Sequence, residues 1–78
     1  MYATTVTIGT PERACQFVQA CSRMDFKIEL ESGDYIIDAK SLMGLFSLDL
    51  ARPIQLRAGC DARQQGLLEQ QIAPYMVH

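Results

Sequence analysis

Few side chains in this 78-residue sequence are suited to chemistry, and their spacing limits what they can do together. The reactive or metal-binding types are Cys15, Cys21, Cys60 and one histidine, His78, at the last position. The cysteines are odd in number and form no C-x-x-C pair, and Cys15 and Cys21 are six apart, which on a helix separates them onto different faces. Neither a disulfide framework nor a zinc site follows. A histidine at an end expected to fray cannot organise a Ser–His–Asp set or a Cys–His pair. No catalytic residue, metal ligand or cofactor is assigned on these grounds, and the chain is expected not to be an enzyme.

One serine stands out by its context. Ser41 opens the run SLMGLFSL inside DAKSLMGLFSLDL (residues 38–50), where a helix is expected from about Leu42 to Leu48. As an N-cap its hydroxyl accepts from a backbone N–H two or three residues on, worth about 1 kcal/mol. The same position suits a phosphoryl group, because free N–H groups at a helix start favour negative charge. Lys40 beside it, and Arg13 at the start of the first helix, are candidate anion contacts. Cys15 lies near that first N-terminus, where a thiolate is stabilised, although small cysteines at such rims more commonly only pack.

Composition bounds the partners. Apolar residues make up 49% and charged residues 21%, as in a folded globular chain. The formal charge is −2, so a phosphate-backbone ligand has no basic patch to meet, and no nucleic acid is expected. No apolar run reaches membrane-spanning length, and MYATTVTI lacks the pattern of a secretion signal. The expectation is a cytoplasmic protein with no membrane association.

The elements that must position these residues follow from periodicity. Tyr2, Thr4, Val6 and Ile8 alternate with polar or small residues, as in a strand. Gly9-Thr10-Pro11 reads as a turn into a helix, with Thr10 as N-cap and Pro11 at the first helical position. Ala14, Phe17, Val18 and Cys21 form one stripe of a helix running to about Arg23. Phe26, Ile28 and Leu30 predict a second strand, Ser32-Gly33-Asp34 a hairpin turn, and Tyr35-Ile36-Ile37 its partner. Pro53 leads into a fourth strand with Ile54, Leu56 and Ala58. Asp61 caps a last helix carrying Leu67, Leu68, Ile72 and Tyr75, weakened by Gly66 and kinked or ended by Pro74. The order β-α-β-β-α-β-α implies an α+β open-faced two-layer sandwich: a four-stranded antiparallel sheet with helices on one face, one domain over residues 1–78.

The segment after Ser41 holds more apolar surface than such a helix can hide. At about 100° per residue, the arc from Leu48 through Leu45, Leu42 and Phe46 to Met43 spans roughly 220°. A helix lying on a sheet buries a stripe only somewhat wider than ~100°. With Leu45 and Leu48 directed inward, Met43 and Phe46 are surplus and Leu42 flanks them. Either the following loop (residues 49–52) covers the surplus, or Leu42, Met43 and Phe46 form a docking patch.

The wording AKSLMGL-x-SL resembles the regulatory-serine segment of HPr, the histidine-containing phosphocarrier family of the bacterial sugar phosphotransferase system. VTI at 6–8 and ACQFV at 14–18 are similar to the family's first strand and first helix. The resemblance implies the same open-faced fold, and it implies that Ser41 is a regulatory phosphorylation site. The family carries its phosphoryl group on a histidine in a Gly-(Leu/Ile)-His-x-Arg-Pro loop. Here that loop reads IGTPERACQF, with Thr10 in the place of the histidine and Glu12 in that of the arginine. Relay through phosphohistidine requires an imidazole nitrogen and cationic or backbone donors, and neither replacement supplies them.

The reading that follows is a non-catalytic HPr-like regulatory or interaction protein. Its expected partners are proteins: a serine kinase, a transcriptional regulator or phosphotransferase components. The rivals are a phosphocarrier using an atypical acceptor, and an oligomerising remnant that self-associates through the apolar arc.

Overall fold

Alternating strands and capped helices assemble as the periodicity implies, with shifted ends. The structure, a computed structural model, describes residues 1–77, so the expectation for His78 lies outside it. The elements are β1 (Tyr2–Val6), α1 (Pro11–Ser22), β2 (Ile28–Ser32), β3 (Tyr35–Asp38), α2 (Leu42–Phe46), β4 (Ile54–Ala58) and α3 (Ala62–Ile72). A 3₁₀ turn, Ala73–Tyr75, follows α3. The strands form one antiparallel sheet in the order β1-β4-β2-β3.

Local chemistry sets most of the boundaries. Thr10 caps α1 by accepting from the Arg13 N–H at 3.2 Å, with Pro11 at the first helical position. Asp61 and Gln64 form a reciprocal capping box at α3, and Pro74 falls where the helix tightens into the 3₁₀ turn. Ser32 pairs with Tyr35 across the two-residue loop Gly33-Asp34. Gly33 has φ of +60° and, among the described residues, no non-glycine residue has positive φ, which makes this a type II′ turn with glycine at its first central position. The expected first strand stops at Val6, yet Ile8 beyond it is fully buried, and α2 is two residues shorter than its apolar pattern suggests.

Register sorts the side chains into two faces. Val6, Ile54, Leu56, Ala58, Ile28 and Leu30 lie under the helices and are buried. The opposite face is open and polar, with Arg57 bridging to Glu31 at 3.3 Å and Gln55 donating to Thr5 at 3.1 Å. From α1 come Ala14, Phe17 and Cys21, and from α3 Leu68 and Ile72. Leu67 is 47% exposed, one position off the buried stripe of its helix.

The outer edge of β1 is closed by the C-terminal segment. Thr7 N–H donates to the Tyr75 carbonyl at 2.8 Å, Val77 N–H to that of Thr5 at 3.0 Å, and Val6 bridges Met76. Arg13 ties this corner together. Its Nε donates to the Ile8 carbonyl at 2.6 Å and its Nη2 to the Pro74 carbonyl at 3.1 Å, and its guanidinium lies 4.7 Å over the Tyr75 ring. Tyr75 in turn meets Phe17 edge-on, with centroids 5.1 Å apart. Charged hydrogen bonds of this kind are worth about 1.5–3 kcal/mol each before solvent screening. Arg13→Ala is therefore expected to lower stability by about 2 kcal/mol in a urea titration. Amide hydrogen exchange at Thr7 and Val77 is expected to accelerate, and Arg13→Lys to recover only part, since an ammonium cannot span both carbonyls in one plane.

Burial also sets a pH response. Desolvation pushes the Cys21 thiol up to about 12 from 9.0, with nearby Lys40 opposing the shift. The unfolded thiol ionises near 9.0 while the folded one stays protonated, so folding loses stability as pH rises from there toward 12. Across that window, the stability curve of Cys21→Ala should fall less steeply than that of the parent. A thiol reagent should label exposed Cys15 in the folded protein and Cys21 only on unfolding.

Candidate functional site

Two places bear on the family resemblance, and the chain treats them differently. The first is the loop between β1 and α1. Gly9 has φ of +94°, a conformation that favours glycine, and its N–H donates to the Leu50 carbonyl at 2.7 Å. Thr10 is exposed, and its hydroxyl is engaged as the helix cap. Glu12 is exposed in the first turn of α1 and brings negative charge where a phosphoryl carrier needs positive. Arg13, a candidate anion contact by sequence, is half-buried with its guanidinium committed to two carbonyls and the Tyr75 ring. Cys15 sits exposed on the outer side of α1.

The second place is α2. Ser41 has extended backbone angles and accepts from the Gly44 N–H at 3.1 Å, while its own carbonyl receives the Leu45 N–H. It is half-buried. The main chain of Lys40 is held by Asp38, and its ammonium donates to the Met24 carbonyl at 2.7 Å, just past the end of α1. As with Arg13, a cation selected for an anion role is occupied by a backbone carbonyl. At the other end of α2 the Ser47 hydroxyl donates to the Gly44 carbonyl at 2.6 Å. Five residues of helix are thus capped by a serine at both ends.

Burial divides the apolar arc. Leu45 is fully buried and Leu48 nearly so, whereas Met43 is 82% and Phe46 48% exposed. Leu42 is half-buried against the core. The loop at residues 49–52 does not cover the surplus; it turns back on itself through Asp49, which accepts from the Ala51 N–H and pairs with Arg52. Gly44 lets α2 lie close to β3, since a Cβ there would meet Ile37 at 3.2 Å.

Periodicity alone did not point to the neighbour of this patch. Tyr35 and Ile36 on β3 are 63% and 61% exposed, at the outer edge of the sheet. Between the β2–β3 turn and the C-terminal end of α2 runs a cleft of about 320 Å³, bordered by Asp34, Tyr35, Ser47, Leu48, Asp49 and Arg52. The one available signal was Tyr35-Ile36-Ile37, apolar on both faces where a half-buried strand would alternate. No group of three potential metal ligands occurs among the described residues, and none of their helices is long and apolar enough to cross a membrane.

The comparisons agree with the fold. Residues 11–65 fit the sequence model of a family described as the phosphotransferase-system HPr component phosphorylation site. The match begins one residue after Thr10. No curated protein matches the chain at the sequence level. Among solved structures, HPr-C-His from Thermoanaerobacter tengcongensis is similar at 27% identity, over 94% of this chain and 92% of that one, with a TM-score of 0.74. The Bacillus anthracis phosphocarrier HPr shares the fold at 22% identity, over 96% of both chains, with a TM-score of 0.75. The Bacillus subtilis catabolite repression protein Crh, described as a dimer with a swapping domain, matches at 28% identity over 96% and 88%, with a TM-score of 0.61. With the open-faced sandwich and the AKSLMGL segment already in place, the chain belongs to the HPr family, the phosphocarrier proteins of the phosphotransferase system.

Proposed function

We propose that this chain is a non-catalytic HPr-like regulatory or interaction protein, one domain over residues 1–78. It acts through Ser41 and the patch of Leu42, Met43 and Phe46. The observation that carries this reading is the contrast between the two places. At α2 the serine is positioned and Met43 and Phe46 face solvent. At the family's phosphoryl loop Thr10 is a helix cap and Arg13 is tied into the fold. A threonine offers no nitrogen on which to form a readily transferred phosphoramidate.

Phosphorylation of Ser41 supplies a switch. It replaces a neutral hydroxyl by about two negative charges beside the apolar patch, enough to reorder which partners the patch accepts. Candidate partners are a serine kinase of the HPr-modifying kind, a transcriptional regulator, and phosphotransferase components. The solved relative Crh is described as a catabolite repression protein, which is a regulatory setting of the same kind.

Two incubations test the proposal. With an HPr-directed serine kinase and ATP, mass spectrometry should place one phosphate on Ser41 and none on Ser41→Ala. With labelled phosphoenolpyruvate and the system's first enzyme, no label should reach the chain. Met43→Glu should weaken capture of the partner at least about tenfold, the equivalent of 1.4 kcal/mol. Absence of phosphate on Ser41 together with unchanged capture by Met43→Glu overturns the reading, and so does transfer of label from phosphoenolpyruvate.

A further inference from the structure

The surface around α2 is selective in charge as well as exposed. Residues 33–53 contain three acids (Asp34, Asp38, Asp49) and two bases (Lys40, Arg52), a net of −1; Glu29 and Glu31 lie on the open face of the sheet, paired with Lys27 and Arg57. The two bases are already engaged: Lys40 Nζ on the Met24 carbonyl and Arg52 on Asp49 at 3.4 Å. Asp34, exposed at the β2–β3 turn, has no cation partner among the described residues. It borders the 320 Å³ cleft together with Ser47, Leu48 and the Asp49–Arg52 pair, whose guanidinium is held by Asp49, and Tyr35 stands beside it with its ring largely in water.

A carboxylate next to an exposed aromatic ring is a setting for a guanidinium, which can pair with the first and stack on the second. The apolar patch lies on the same short helix: Phe46, which does not itself border the cleft, is the residue before Ser47, which does. Four residues of helix separate Met43 from Ser47, about 6 Å along the axis. A partner can therefore reach both with side chains one or two helical turns apart. An acidic partner would set its charge against Asp34, which no cation of the described residues neutralises. A second copy docked α2 to α2 would offer Asp34 no unengaged cation from this surface, since Lys40 and Arg52 are both held.

We infer that the α2 surface takes a basic amphipathic segment of a partner protein, with apolar side chains on Met43 and Phe46 and an arginine seated between Asp34 and Tyr35. This rests on the docking reading above, and adds the partner's chemistry and the place where its charge binds. The seat does not require phosphate on Ser41, so it can be measured on the unmodified protein.

The probe is a 14-residue amphipathic helical peptide with leucines along one face and arginines beside them. Its control is the same peptide with glutamates for arginines. Titrated into the labelled protein, the arginine peptide should shift the amides of Tyr35, Phe46, Ser47 and Asp49. The control should bind at least about tenfold more weakly. Asp34→Asn and Tyr35→Ala, both at exposed positions, should each weaken binding about fivefold with an unchanged melting temperature. If Met43→Glu weakens binding while Asp34→Asn does not, the arginine seat is overturned and the docking reading stands. If Asp34→Asn weakens binding while Met43→Glu does not, the patch fails and the joint surface with it. Equal binding of the two peptides, no binding of either, or shifts confined to the open face of the sheet overturns the inference. So do concentration-dependent shifts at the same amides without peptide, which would make the occupant a second copy.

Discussion

A sheet of four short strands covered on one face has room for one apolar layer, and most of this structure follows from that limit. The helix-facing residues of β2 and β4 fill the layer from below; Phe17 and Cys21 of α1, with Leu68 and Ile72 of α3, fill it from above. Only Leu45, Leu48 and part of Leu42 from the α2 segment find places in it. Once the layer is full, any further apolar side chain must face solvent. The open face cannot take the excess, because it is occupied by charged and polar side chains paired across the strands.

The same limit explains how Arg13 is used. A small open sheet leaves its β1 edge exposed, and the chain closes that edge with its own C-terminal segment. Tyr75 plugs the rim of the core against Phe17, and Arg13 holds the plug from outside by gripping carbonyls on both sides of it. A guanidinium suits this task because its donors diverge in one plane while its face stacks on the ring. In the neighbourhood where the family handles a phosphoryl group, Arg13 is thus bound into the fold through two of its donors and the face of its guanidinium.

How much of this was legible in the sequence depended on the range of each interaction. Caps and turns are local, so Thr10, Ser41, Asp61 and Gly33 read correctly from their neighbours. Alternation within single strands gave the two faces, and the arc after Ser41 gave Met43 and Phe46 as surplus to the core. The tie from Arg13 to Pro74 spans 61 residues, and nothing near Arg13 announces it. The bond from Lys40, a candidate anion contact by sequence, to the Met24 carbonyl is likewise invisible locally, because its acceptor lies sixteen residues away, just past α1. The exposure of Tyr35 and Ile36 follows from sheet order, since β3 is an edge only because β4 inserts between β1 and β2. Strand order is a property of the assembled chain, and periodicity within one strand does not encode it.

The helix that bears the patch would not form alone. Five residues with a glycine at the centre fall far below the length at which an isolated helix persists. It is held by two serine caps, by Leu45 and Leu48 in the core, and by the close approach of Gly44 to Ile37. Neither Met43 nor the exposed half of Phe46 contributes to that list. A polar residue at Met43 would leave every one of those contacts in place, so packing does not require a large apolar side chain there, and at Phe46 it accounts for only the covered half of the ring. Association with another surface is what would give them a use, and Asp34 across the cleft from Ser47, without a cation partner among the described residues, bears on which surfaces qualify.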